Sequence, residues 1–184
     1  MVKLPCGDDD GFVVCADPDD EVGHPQASPT APASGSGDRI TVSAIMTTRV
    51  VCVAPDLGVH ALERSFVDEG ICSAPVVDDH GLPLGVVSGA DLVRWHSRCS
   101  VPDGATAKVE DIMTPCPLCI RANVSIARAA AFMAFEDIET MPVVGARGEV
   151  VGVVTAKDVL GWFARSHGYV LGNGRRKSSR AIDS

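Results

Sequence analysis

Short apolar runs alternate along this chain with stretches of helical spacing, and the same succession occurs twice. Val50–Val53 reads as a short strand. Val59, Leu62, Phe66 and Val67 then recur at the spacing of one helix face, which Gly70-Ile71 ends. Pro75–Val77 reads as a second strand, Asp78–Gly81 as a turn, Leu84–Val87 as a third strand, and a short helix begins after Ser88. Further on, Leu118–Ile120 repeats the first strand. Ile126, Ala129, Ala130, Met133 and Ala134 repeat the helix, with Ser125 or Asn123 suited to cap it and Asp137-Ile138 to end it. Pro142–Val144, a turn over Gly145–Gly148, Val151–Val154 and a helix after Thr155 complete a second β-α-β-β-α unit.

Shifted by 67 residues, the chain matches itself without a gap from Ile45–Trp95 onto Ile112–Trp162. Ile45-Met46-Thr47 falls on Ile112-Met113-Thr114, Cys52 on Cys119, and Pro75-Val76-Val77 on Pro142-Val143-Val144. Gly85-Val86-Val87-Ser88 falls on Gly152-Val153-Val154-Thr155, Asp91 on Asp158, and Trp95 on Trp162. One supersecondary unit built twice, each copy too small to bury a core alone, is expected to pack in pseudo-twofold fashion. The two tryptophans, closing matching helices, are expected to cover the seam between repeats or between protomers.

Composition changes this picture mainly at the ends. The net charge of −8 divides into −7 over residues 1–38 (eight acids, one lysine), −5 over 39–162 (fifteen acids, ten bases) and +4 over 163–184 (five bases, one acid). Residues 1–38 carry Asp8-Asp9-Asp10 and Asp17–Glu21 ahead of a Pro/Ala/Ser/Gly stretch, a composition that predicts disorder. The chain therefore divides into an acidic tail (1–38), a first repeat (39–98), a linker (99–108) with the turn signal Pro102-Asp103-Gly104, a second repeat (109–165) and a basic flexible tail (166–184). A mildly acidic centre and a short basic end without interleaved aromatics argue against a nucleic-acid partner. No apolar run approaches the roughly 20 residues of a membrane helix, and the start lacks a secretion signal, so a cytoplasmic protein without a membrane partner is expected. Seven cysteines, an odd number mostly inside strand-like runs, fit buried thiols in a reducing compartment.

An Ile-Met-Thr start, a central Pro-Val-Val followed by an acid or glycine turn, and Gly-Val-Val-Ser/Thr-x-x-Asp, each in order and twice, resemble the CBS domain, named for cystathionine beta-synthase. Two in tandem resemble a Bateman module, over about residues 42–164. The resemblance implies an α/β fold of two β-α-β-β-α repeats related by a pseudo-twofold, flanked by disordered tails. It also implies a regulatory, non-catalytic module with no required cofactor. Such a module binds AMP, ADP, ATP or S-adenosylmethionine in clefts between the repeats, dimerises into a disc of four domains, and signals to a regulated protein that the sequence does not name.

The candidate binding residues have two readings each. Ser88-Gly89-Ala90-Asp91 and Thr155-Ala156-Lys157-Asp158 are close to capping boxes, which satisfy backbone N–H groups with no ligand. The resemblance implies instead that Asp91 and Asp158 accept from ribose hydroxyls while Ser88, Thr155 and the helix starts face phosphate; a carboxylate suits vicinal hydroxyls, and the two roles can coexist. By family position an adenine slot is lined by Thr47, Val51, Ala74 and Pro75 in one copy and by Thr114, Leu118, Met141 and Pro142 in the other, with ordinary core as the alternative for the apolar members. Ala74 is smaller than Met141, so unequal sites are expected. Of Arg49, Arg94, Arg121, Arg128 and Lys157, none recurs between copies; Lys157, beside Asp158, either neutralises a phosphate or faces water.

Cys116-Pro117-Leu118-Cys119 invites a metal or redox reading, but Cys119 aligns with Cys52, which has no cysteine three residues before it, and a zinc site needs about four ligands. The five histidines do not recur, and no nucleophile elbow or phosphate loop is present, so no enzyme is expected. The alternatives to ligand sensing are a ligand-free dimerisation or interaction scaffold and a thiol-linked redox regulator using Cys116 and Cys119.

Overall fold

Residues 12–14, 39–98, 107–115 and 117–171 are described by the computed structural model. Three residues of the N-terminal stretch, Phe12–Val14, form a strand, β1. The first repeat supplies helix α1 (Val59–Glu69), strands β2 (Ser73–Val77) and β3 (Pro83–Ser88) and helix α2 (Gly89–Arg98). The second opens with a one-turn helix α3 (Val109–Ile112) and the two-residue strand β4 (Thr114–Pro115). It continues through β5 (Leu118–Arg121), α4 (Ile126–Phe135), β6 (Thr140–Val144), β7 (Val150–Thr155) and α5 (Ala156–Ser166). The β-α-β-β-α succession is thus present in both copies, with one departure: the expected strand Val50–Val53 is reduced to a parallel bridge between Val53 and Val76. Its counterpart β5 lies between two neighbours, antiparallel β1 and parallel β6, whereas the Val53 segment has β2 alone among the described residues.

The helical spacing places Val59, Leu62 and Phe66 in the interior, and on α4 Ile126, Ala129, Phe132 and Met133. Val67 and Ala134, grouped with those faces by spacing, occupy matching positions and both turn outward. Hairpins β2–β3 and β6–β7 share one register: Ser73 faces Ser88 as Thr140 faces Thr155, and each has an irregularity at the matching Val76/Val77 and Val143/Val144 steps. A repeat in sequence has become a repeat in geometry, down to the defect.

The two units are joined by exchange. The amides of Val42 and Ser43 donate to the carbonyls of Val124 and Ala122 (2.8 and 2.9 Å), and that of Ile126 to Ile40 (2.9 Å). At the positions 67 residues displaced, Val109 and Glu110 donate to Leu57 and Pro55 (2.9 Å each), and Val59 to Ala107 (2.9 Å). Thr47 bridges Val153 on β7, and Thr114 pairs with Val86 on β3. The leading segment of each repeat is therefore built into the other repeat.

Two glycines make room for this. A Cβ on Gly85 would lie 2.6 Å from Met113 Sδ and 2.8 Å from the Thr114 carbonyl oxygen; one on Gly152 would lie 2.9 Å from Met46 Sδ and 3.2 Å from the Thr47 carbonyl oxygen. Two cores result, each with apolar residues of the incoming segment. Val109, with Ala107, Ile112 and Met113, packs into the cluster of Leu62, Ala74, Val76 and Val87. Val42, with Ile45 and Met46, packs into that of Ile120, Met141, Val143 and Val154.

Helices α1 and α2 are tied on their outer side by Glu63, whose carboxylate meets His60 (3.1 Å) and His96. The His60 hydrogen bond leads in holding the Glu63 carboxyl below its ordinary range. Trp95 packs against the first core, edge-on to His60 with centroids 5.7 Å apart.

Candidate functional site

Both candidate acids sit one turn into a helix that follows directly on a strand, and both cap it. Asp158 Oδ2 accepts from the Thr155 backbone N–H (2.9 Å) and from Thr155 Oγ1 (2.6 Å), while Oγ1 accepts from the Asp158 N–H (3.2 Å). Asp91 Oδ2 accepts from the N–H and the hydroxyl of Ser88 (2.8 and 2.7 Å). The capping box is therefore complete at Thr155/Asp158, whereas at Ser88/Asp91 only the acid's half is made; each acid uses one carboxylate oxygen for it. The second oxygens differ. Oδ1 of Asp91 takes a charge-assisted bond from Arg94 Nη1 at 2.5 Å, and Asp91 is only 6% exposed. Asp158 is half-buried, and its Oδ1 takes no hydrogen bond among the described residues.

A row of hydroxyls connects the two acids. Ser88 pairs with Ser73 across β3 and β2, Ser73 Oγ lies 3.1 Å from Thr140 Oγ1, and Thr140 pairs with Thr155 across β6 and β7. Ser73 and Thr140 are the same position of the two repeats, so their contact marks the pseudo-twofold axis. Neither was singled out by sequence reasoning, because a hydroxyl at a strand start is unremarkable. The available signal was a hydroxyl in both copies just ahead of Ala-Pro and Met-Pro.

The exchange decides which residues meet. Thr47, exposed, stands on β7 two residues before Thr155, and the chain then runs through half-buried Val51 to Val53 on β2. Thr114, also exposed, stands on β3 two residues before Ser88 and leads into half-buried Leu118 on β5. One half-site thus joins Thr155, Lys157 and Asp158 to the Thr47–Val51 segment of the first repeat, and the other joins Ser88 and Asp91 to the Thr114–Leu118 segment of the second. The apolar slot residues divide differently. Ala74, Pro75, Met141 and Pro142 are buried, with Ala74 and Met141 at 0% in their respective cores. Lys157 is exposed.

The cysteine motif is only partly in view. Cys116 lies outside the described residues, and Cys119 is a fully buried thiol whose Sγ is 3.5 Å from the Pro117 carbonyl oxygen. At the matching position, Cys52 is exposed as a residue, yet partial desolvation pushes its thiol pKa up, away from thiolate reactivity. His80 lies exposed in its turn, its backbone N–H held by Asp78 Oδ1 at 2.8 Å. None of the described helices is long and apolar enough to cross a membrane.

Comparison with known proteins meets this geometry. An inosine-5'-monophosphate dehydrogenase of Korarchaeum cryptofilum is 31% identical over 135 residues, 72% of this chain and 26% of that protein. The chain thus spans about a quarter of the length of that curated relative. Among solved structures, CBSX2 of Arabidopsis thaliana in complex with AMP superposes with a TM-score of 0.59 at 28% identity, covering 69% of this chain and 98% of that one. The CBS domain pair of protein MJ0100, solved with 5-methylthioadenosine and S-adenosylmethionine, gives a TM-score of 0.63 at 21% identity, covering 69% and 98%, a likeness of fold. The family model described as CBS domain matches residues 42–98 and 109–165, one copy for each repeat. The chain belongs to the CBS-domain family and carries two of these domains in tandem.

Proposed function

We propose that this chain is a regulatory, non-catalytic module that binds an adenosine-bearing ligand between its repeats and passes occupancy to a partner protein through the shape of a homodimer. The single observation that carries the reading is the meeting, in each half, of a helix-capping acid and a hydroxyl row with a segment delivered by the opposite repeat. A ligand seated there touches both repeats at once, so its binding energy depends on how they are set against each other. That dependence is what a ligand needs to shift a conformational equilibrium. CBSX2, with AMP bound, is the neighbour that makes adenine nucleotides the first ligands to test, and S-adenosylmethionine follows from the MJ0100 pair.

Titration calorimetry with AMP, ADP, ATP and S-adenosylmethionine tests this. Asp158→Ala is expected to weaken the binding ligand by about tenfold or more, the scale of one lost charge-assisted hydrogen bond, with the circular dichroism spectrum unchanged. Unchanged affinity removes the ribose role from Asp158.

The scaffold reading draws support from Asp91, whose carboxylate is engaged on both oxygens by its own chain. A melting temperature that none of the four ligands raises favours it, because a ligand specific for the folded state must stabilise that state.

A further inference from the structure

We propose that the two half-sites are unequal: the Asp158 half-site takes a phosphorylated nucleoside, and the Asp91 half-site is occupied by the chain's own Arg94. This rests on the reading of the module as a nucleoside binder and goes on to say which half works and on what.

The asymmetry begins at one residue pair. Arg94 aligns with Gly161. In the first repeat the guanidinium, on the same helix as Asp91, reaches back three residues to Oδ1 at 2.5 Å. That oxygen is the acceptor a vicinal diol needs once Oδ2 is committed to Ser88. In the second repeat a glycine has no side chain to reach back, and Oδ1 of Asp158 takes no hydrogen bond among the described residues. The carboxylate of Asp91 is 7% exposed against 62% for its arginine, so the arginine forms the outer face of that acid.

A second observation concerns charge. The Asp158 half-site draws on the first turn of α5, which carries Lys157, and on the segment after Thr47, whose sequence includes Arg49. In the Asp91 half-site the position of Lys157 is taken by Ala90; the residue aligned with Arg49, Cys116, lies outside the described residues. An anionic group therefore finds a lysine on the first helical turn of one half and an alanine at that place in the other, where Arg94 is already engaged by Asp91.

A third lies in the sheets. The segment that enters the Asp91 half-site runs into β5, whose outer edge is covered by β1, with Val14 opposite Leu118 and Phe12 opposite Ile120. Its counterpart, Val51–Val53, pairs with β2 and with no other strand among the described residues. A backbone edge that a purine ring would read is spent on the chain's own strand in one half, and in the other no described strand takes it.

The test is calorimetry of AMP and adenosine on the full chain. AMP is expected to bind with one site per chain. Lys157→Ala is expected to weaken AMP by about tenfold, one charge-assisted contact, while leaving adenosine unchanged. Arg94→Ala, alone or with Val13→Pro to unpair β1, is expected to open the Asp91 half-site to adenosine and raise its stoichiometry to two, while AMP stays at one. Two equal sites in the unaltered protein, or an Asp91→Ala variant that loses AMP as Asp158→Ala does, overturns the inequality while leaving nucleoside binding intact. Equal losses of AMP and adenosine in Lys157→Ala overturn the phosphate assignment. No heat from either ligand with any variant removes the underlying reading along with it.

Discussion

Gly85 and Gly152 are each bounded by a methionine sulfur and a backbone carbonyl from the opposite repeat, and the carbonyl is the obstacle that cannot move cheaply. A methyl group at Gly85 has to displace the Thr114 carbonyl oxygen from 2.8 Å; at Gly152 the Thr47 oxygen is 3.2 Å away. Overpacking of this kind costs about 1–3 kcal/mol, against ~0.4–1 kcal/mol gained when alanine stiffens the unfolded chain. Both Gly→Ala variants are therefore expected to lose stability in urea denaturation, with Gly85→Ala the worse of the two. The pairing of these glycines with Met46 and Met113 was visible only as a coincidence of repeats. Glycine and methionine recur in both copies, but nothing in a linear chain says that each methionine covers the other copy's glycine. The acids show the same limit. The capping box at 155–158 follows from residue types, whereas Arg94 as a partner for Asp91 needed a helix to bring it round.

Helices α1 and α4 end on the same device with different residues. Gly70 and Asp137 are at one repeat position and both adopt left-handed backbone, at φ of 65° and 54°. The next residue returns a hydrogen bond to the helix, Ile71 to Phe66 at 3.1 Å and Ile138 to Met133 at 3.0 Å. Glycine takes this conformation freely; a side chain pays roughly 1 kcal/mol for it, somewhat less for aspartate. Thermal unfolding is expected to show opposite signs, Gly70→Ala destabilising by about 1 kcal/mol and Asp137→Gly stabilising by up to about 0.5 kcal/mol. Element order, both helix stops and both hairpins were legible because short-range periodicity and turn chemistry decide them. The strand at Val50–Val53 was not, because its length depends on how many neighbours the finished sheet provides, and among the described residues it has one where β5 has two.

Over the whole molecule, α2 and α5 leave matching apolar residues uncovered: Val93 is 69% and Leu160 67% exposed, and Phe163 on α5 adds 54%. Neighbouring α4 adds Phe135 at 67%. Apolar surface that recurs at one repeat position on both halves fits a second copy laid against the same side, as the proposed homodimer requires. Light scattering coupled to size exclusion is expected to give a dimer mass for the unaltered chain and a monomer for Leu160→Glu, with the circular dichroism spectrum preserved. A monomer in both cases removes the homodimer from the proposal and leaves signalling to act within one chain.

The crossed leading segments also bear on how such a chain arises. A single unit cut free would carry an arm, residues 40–47 or 107–114, whose hydrogen-bonding groove belongs to its twin. Its only stable course would be to find another molecule like itself and trade arms. End-to-end fusion of two such swapped ancestors gives this crossed topology, and afterwards each half was at liberty to diverge, as the proposed inequality of the half-sites requires.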